Sequence, residues 1–193
     1  MADGLLEGPD GRLRCAWAGS APEYLDYHDT EWGREVRGDS ALFERMSLEA
    51  FQSGLSWITI LRKREAFRAA FRGFDLEQVA TFGEDDVHRL LQDAGIVRNR
   101  AKIEATIANA RAVLDLDEPL SDLLWSFAPT RRPAPEKLAE VPATTPESTA
   151  LAKALKKGAE VVAKGGRYFI DSVIEPGYAE SVPDQRADMV KKK

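Results

Sequence analysis

Glu49, Gln52, Ser53 and Ser56 recur at i, i+3, i+4 and i+7, the spacing that lines one face of a helix. Such a polar stripe is ordinarily a solvated face. This one contains neither lysine nor arginine, and the segment from Met46 to Leu61 around it is otherwise strongly apolar, with Trp57 close by. A single carboxylate among small polar groups and an indole, in a stretch apolar enough to be partly buried, reads as the wall of a binding pocket.

A second concentration lies upstream. Cys15, Trp17, Tyr27, His28 and Trp32 place two tryptophans, a tyrosine, a histidine and the sole cysteine within 18 residues. Core packing would account for some of these rings. Clustered aromatics also suit stacking against nucleic-acid bases, worth roughly 1 to 3 kcal/mol per base. Cys15 and His28 are permissible zinc ligands, but a structural zinc site takes four protein ligands. The other histidine, His88, falls on a predicted helix, so two ligands stand without a site.

The third feature is Leu90-Leu91-Gln92-Asp93-Ala94-Gly95-Ile96-Val97-Arg98-Asn99-Arg100-Ala101-Lys102-Ile103. It joins two helical patterns through a glycine turn followed by cations. Helix-glycine-helix turns are common, but this one has the form of a helix-hairpin-helix. Backbone N–H groups at the start of the second helix and adjacent cations then bind phosphate. Arg62, Lys63 and Arg64 form another basic group, and a charge run of this kind is usually a solvated surface.

These residues need helices to position them. From Asp39, with Asp39 or Ser40 as cap, Leu42, Phe43, Met46, Leu48, Phe51 and Leu55 trace one apolar face, with Gly54 inside it as a kink or close contact. Ile58, Ile60, Leu61, Phe67 and Phe71 continue the core. Phe74 to Phe82 reads as a short helix, and Glu84 to Ala94 as another that Gly95 stops. Arg100 to Leu114 has Ile103, Ile107, Ala110 and Leu114 at spacings of three and four. Leu120 to Phe127 and Glu147 to Lys157 are further helices, separated by a proline-rich surface connector from Pro129 to Pro146. Residues 1–13, with three glycines and a Pro-Asp-Gly turn, read as a flexible lead-in. Residues 158–193 are the least regular part and are expected to be partly disordered. No repeat and little two-residue alternation are present, so the expected class is all-α.

The bulk numbers agree with one globular domain. The chain has 193 residues, 44% hydrophobic and 31% charged, which is enough for a core and unlike a disordered chain. With one cysteine no intrachain disulfide forms, and no apolar leader or segment near the roughly 20 residues of a membrane span is present. A soluble cytoplasmic protein is expected. A net charge of −5 argues against coating nucleic acid by bulk electrostatics, while leaving room for a local basic face.

Taken together, these blocks resemble the 3-methyladenine DNA glycosylase I family of the bacterial helix-hairpin-helix superfamily. The resemblance is carried by Arg14-Cys15-Ala16-Trp17, Tyr27-His28-Asp29-Thr30-Glu31-Trp32-Gly33 and Leu48-Glu49-Ala50-Phe51-Gln52-Ser53-Gly54-Leu55-Ser56-Trp57. It continues through Asp93-Ala94-Gly95-Ile96-Val97-Arg98-Asn99-Arg100, Leu124-Trp125-Ser126-Phe127 and Thr144-Thr145-Pro146-Glu147-Ser148, all in the family's order. It implies a helix-hairpin-helix glycosylase fold spanning residues 14–157, with the hairpin near 84–114. Glu49 would be the catalytic-site carboxylate that contacts an extruded base, Trp17, Tyr27 and Trp57 the aromatic walls, and Trp32 their support. Gly95, Arg98, Arg100 and Lys102 would meet DNA.

The implied reaction is hydrolysis of the N-glycosidic bond of 3-methyladenine in double-stranded alkylated DNA by a monomeric enzyme, associated in use with the bacterial nucleoid. Methylation at N3 makes the base cationic, so it departs neutral and little activation is needed, and cation–π attraction favours it over adenine. No cofactor is needed for the chemistry. The family also carries a structural zinc, held by counterparts of Cys15 and His28 together with a C-terminal histidine and cysteine. After Lys157 this chain departs from the family and has neither residue beyond His88. The open accounts are loss of zinc, substitution by Asp184 or Asp188, or a C-terminus altered from that of a functional enzyme; a chain without stably bound zinc is expected. The rival readings are a non-catalytic damage-binding or DNA-binding protein of the same fold and, more remotely, a small-molecule hydrolase on the same helical scaffold.

Overall fold

A computed structural model describes residues 5–129 and 144–158. The expectations for the proline-rich connector and the C-terminal segment, Asp184 and Asp188 included, fall on residues 130–143 and 159–193, outside the described residues. Leu5–Glu7 (β1) and Leu13–Cys15 (β2) pair antiparallel, Leu5 opposite Cys15. The flexible lead-in read from composition is therefore corrected for this stretch. The Pro-Asp-Gly turn folds it back: Gly8 N–H donates to the Arg12 carbonyl at 2.8 Å, and Arg14 holds Asp10 at 2.6 Å.

Eight α-helices follow among the described residues, in keeping with the all-α class. Pro22–Thr30 (α1), after a 3-10 turn at Ala16–Ser20, buries only Tyr27. It has too little apolar periodicity to be read from sequence. Asp39–Gln52 (α2) buries Leu42, Phe43, Leu48 and Phe51, and with them Arg45, Ser47 and Glu49. Asp39 does not cap its own helix. Its carboxylate accepts from Leu120 and Ser121 N–H at 3.2 and 2.8 Å, capping Leu120–Trp125 (α7).

α2 stops at Gln52, short of the face expected through Leu55. Gly54 adopts φ +83°, a left-handed conformation that costs an L side chain about 1 kcal/mol or more, and the chain restarts as Trp57–Ala70 (α3). The polar stripe is thus divided between the last turns of α2, a corner at 53–56, and the Ser56 cap of α3. Tyr24 of α1 secures that start by accepting the Ile58 N–H at 2.9 Å.

Leu76–Ala80 (α4), Glu84–Gln92 (α5) and Arg100–Leu114 (α6) come next. Phe74 stays outside α4 because its φ of +58° is not helical. Asp75 caps α4 through Gln78 N–H at 2.8 Å, and Asn99 caps α6 through Lys102 N–H at 3.1 Å. Pro146–Gly158 (α8) opens on a reciprocal Thr145/Ser148 pair at 2.9 and 3.1 Å. Beneath α2 and α3, Phe43, Phe51, Phe67, Phe71 and Phe74 are fully buried, with ring centroids as close as 4.6 Å. This packed layer is what holds the α2–α3 corner in place. Among the described residues no helix is long and apolar enough to cross a membrane.

Candidate active site

The separate aromatic groups of the sequence meet around that corner. Trp17, on the 3-10 turn, lies edge-on to Trp32 and to His28, each at 5.3 Å, and 6.3 Å from Tyr27. Tyr27, on α1, is 5.6 Å from Trp57 at the head of α3. The contacts run Trp32, Trp17, Tyr27, Trp57 without a break, and Tyr24 joins at 5.3 Å from Trp17. Tyr27 and Trp57 are 3% and 4% exposed, and Glu49 is 3% exposed on the last turn of α2. A carboxylate on the last turn of α2, one corner before Trp57, is a group that attracts a cationic or N–H-bearing ligand.

Behind the rings runs a chain of charges absent from the expectations. Arg45, 6% exposed and one turn before Glu49, donates to the Tyr27 phenol oxygen at 3.2 Å and to Glu31 at 3.1 Å. Glu31 also accepts from Arg64, which bonds Glu44 at 2.7 Å, and Glu44 in turn takes Arg68 at 2.9 Å. Burial raises the Glu44 carboxyl, yet hydrogen bonds from Arg68 and Arg64 outweigh it and hold its pKa below the usual glutamate value. These pairs join α1, α2 and α3 over sequence separations of 14 to 33 residues. Periodicity does not report such contacts, although Glu31 stands inside the Tyr27-to-Gly33 motif.

The hairpin is present as α5, a turn at 93–99, and α6. Arg98 is exposed and forms no ion pair among the described residues. Arg100 bridges Glu84 and Glu104 at 2.8 and 3.0 Å; both are solvent-screened surface pairs. The other two residues expected to meet DNA, Gly95 and Lys102, make hydrogen bonds within the protein. Gly95 N–H donates to Asp93 Oδ1 at 2.7 Å. Lys102 Nζ donates to the Phe51 and Ser53 carbonyls at 2.9 and 2.7 Å, and burial pushes its pKa down.

The methyladenine glycosylase family model matches residues 17–169. The chain belongs to that family. DNA-3-methyladenine glycosylase 1 of Escherichia coli (strain K12) is 49% identical over 149 residues, 75% of this chain and 80% of the relative. DNA-3-methyladenine glycosylase of Haemophilus influenzae (strain ATCC 51907 / DSM 11121 / KW20 / Rd) is 45% identical over 150 residues, again 75% and 80%. The structure of 3-methyladenine DNA glycosylase I from Staphylococcus aureus, which describes how that protein recognises 3-methyladenine, superposes with a TM-score of 0.76 at 31% identity. It covers 89% of this chain and 94% of that one.

Of the four ligands in the zinc site implied by the methyladenine glycosylase resemblance, the described residues supply only the counterparts Cys15 and His28. Both ring nitrogens of His28 are engaged: Nε2 accepts the Cys15 N–H at 3.4 Å, and Nδ1 lies 2.9 Å from Asp29 Oδ1. Asp29 is gripped by Arg14 at 2.7 Å, which holds its pKa down near 2, with His28 adding to the effect. Among the described residues no group of three or more histidine, cysteine, aspartate or glutamate side chains is placed to hold a metal. His88 is exposed on α5, 3.3 Å from Glu84.

Proposed function

We propose that this chain hydrolyses the N-glycosidic bond of 3-methyladenine in alkylated double-stranded DNA, releasing the free base and leaving an abasic site for base-excision repair. The observation that carries this reading is the run of contacts from Trp17 through Tyr27 to Trp57, across the corner from the α2 turn that carries buried Glu49. The family membership of the chain supports the same choice of substrate.

The chemistry follows from the charge on the base. Methylated at N3, the adenine carries a positive charge that both the ring faces and the carboxylate attract, whereas neutral adenine gains neither. Cation–π attraction is worth about 2 kcal/mol when desolvated, and each 1.4 kcal/mol is a factor of about ten in preference. In the reaction the C1′–N9 bond breaks and its electron pair neutralises the base, while water oxygen bonds C1′ and gives its proton to solvent. Glu49 holds and selects the base. Lys63 and Lys102 bond backbone carbonyls, so neither is placed as a nucleophile, and the strand is expected to stay intact.

The test is incubation with methylated duplex DNA and identification of the released bases. Release of 3-methyladenine is expected, with Glu49→Ala slowing it by about 30-fold or more, as loss of about 2 kcal/mol of charge stabilisation implies. Release at the parental rate would remove Glu49 from the reaction. Tight binding of methylated DNA without any released base would instead establish the damage-binding reading.

A further inference from the structure

Lys102 and Lys63 both belong to basic stretches that composition assigns to solvent or phosphate, and both face inward. Lys102, in the first turn of α6, donates to the carbonyls of Phe51 and Ser53, two and four residues beyond Glu49. Lys63, in the middle of α3, donates to the carbonyls of Ala94 and Gly95 at 2.8 and 3.2 Å, within the hairpin turn. One ammonium therefore reaches from the hairpin to the end of the helix that carries Glu49. The other reaches from the helix that begins with Trp57 back to the hairpin. The last carbonyls of a helix lack N–H partners and carry partial negative charge, so an ammonium suits the end of α2, while Lys63 satisfies turn carbonyls beyond the end of α5.

The consequence is mechanical. The hairpin that engages phosphate and the corner that holds the base are cross-linked in both directions across separations of 31 to 51 residues. Gly95 tightens the junction further, because a Cβ built there would lie 2.9 Å from Ala66 Cβ of α3. Any displacement of the hairpin on DNA must then be transmitted to the Glu49–Trp57 corner.

We propose that Lys102 and Lys63 are positioning residues that lock the DNA-binding hairpin to the base-binding corner, so that the phosphate contacts fix where the extruded base enters. This inference rests on the glycosylase reading and assigns Lys102 a role other than phosphate binding. Such residues act on the rate of base release, since a displacement of about 1 Å can cost about 100-fold, while leaving the electrostatics of DNA binding alone.

The test compares the full chain with Lys102→Met, Lys63→Met and Lys102→Arg on a methylated duplex. It measures binding affinity as a function of salt and, with enzyme in excess, the rate of base release at saturation. In Lys102→Met and Lys63→Met the affinity and its salt slope are expected to stay at parental values while the saturated rate falls about 10- to 100-fold. Lys102→Arg, which keeps the cation, is expected to recover part of the loss. Simple unfolding would lower the active fraction and with it the apparent affinity, while leaving the saturated rate with enzyme in excess unchanged, so a rate loss at unchanged binding separates positioning from stability. A salt slope reduced by about 0.9 in Lys102→Met would mark a phosphate contact and overturn the proposal, as would an unchanged rate or equal losses in binding and rate. A parental protein that releases no base would overturn the glycosylase reading and this inference with it. Loss of neither quantity in a parental protein that does release base overturns the inference alone.

Discussion

A methyl group at Gly95 would sit 2.9 Å from Ala66 Cβ and 2.9 Å from Asp93 Oδ1, closer than real Cβ contacts come. Ala66 Cβ is fixed to the α3 backbone, and Asp93 Oδ1 is held by the Gly95 N–H at 2.7 Å, so neither neighbour yields without moving a helix or breaking the turn. Gly95→Ala is therefore expected to lower stability by about 1 to 3 kcal/mol, the usual range for overpacking. The shift in the urea midpoint at constant slope measures it, and a parental midpoint would mean that the hairpin is not packed on α3 as described. Gly54 differs in kind. Nothing lies within 4 Å of its added Cβ, and its requirement is the φ of +83° alone, which sets the corner between Glu49 and Trp57.

Three helices meet through carboxylates shared between arginines: Glu31 on the α1 side, Glu44 of α2, and Arg64 and Arg68 of α3. The Glu44 side chain is 12% exposed, so its ion pairs are less screened than surface ones. Its pKa in the fold lies below the ordinary value of 4.5. The unfolded chain therefore binds the proton more readily. The contribution to stability is complete above about pH 4.5 and is lost as pH falls below it towards the folded-state value. In Glu44→Gln this part of the acid limb is expected to flatten, with a lower melting temperature at pH 7 and a smaller difference from the parent at pH 3. Equal differences at the two pH values would exclude Glu44 as the titrating group. Such pairs also show what the sequence conceals. Helices α2, α5 and α6 are legible because Leu42, Val87, Ile103 and their neighbours repeat at the helical period, and the aromatics are legible because they crowd into a short stretch. Arg45 on Tyr27, Glu31 on Arg64 and Lys102 on Phe51 join residues 18 to 51 positions apart; tertiary packing, not local periodicity, brings them together. The inward turn of Lys102 is hidden for a further reason, since a lysine beside two arginines has the same composition whether it faces a phosphate or a helix end.

At the scale of the whole molecule, two quantities decide how it meets metal and DNA. The chain has one cysteine and two histidines, and His28 has both ring nitrogens engaged while His88 is on the surface with Glu84. A four-ligand site of nitrogen and sulfur cannot be assembled from that set. Protein purified without chelator is expected to hold well under one zinc per chain and to melt at the same temperature with and without EDTA; one tightly held equivalent would reverse that conclusion. The second quantity is charge. At −5 overall the molecule is repelled by DNA at long range, so binding depends on the few cations that reach phosphate. Arg98 is exposed, and Arg100 has only solvent-screened surface pairs with Glu84 and Glu104 to exchange. Every phosphate neutralised adds about 0.9 to the slope of log K against log salt. Arg98→Ala is thus expected to reduce the slope by about 0.9, and Arg98→Ala with Arg100→Ala by about 1.8. The loss of affinity should be similar for methylated and unmethylated duplexes, because phosphate carries no base identity. If the double variant keeps the parental slope, DNA does not approach through the hairpin, and the corner at Gly54 must be reached from another face.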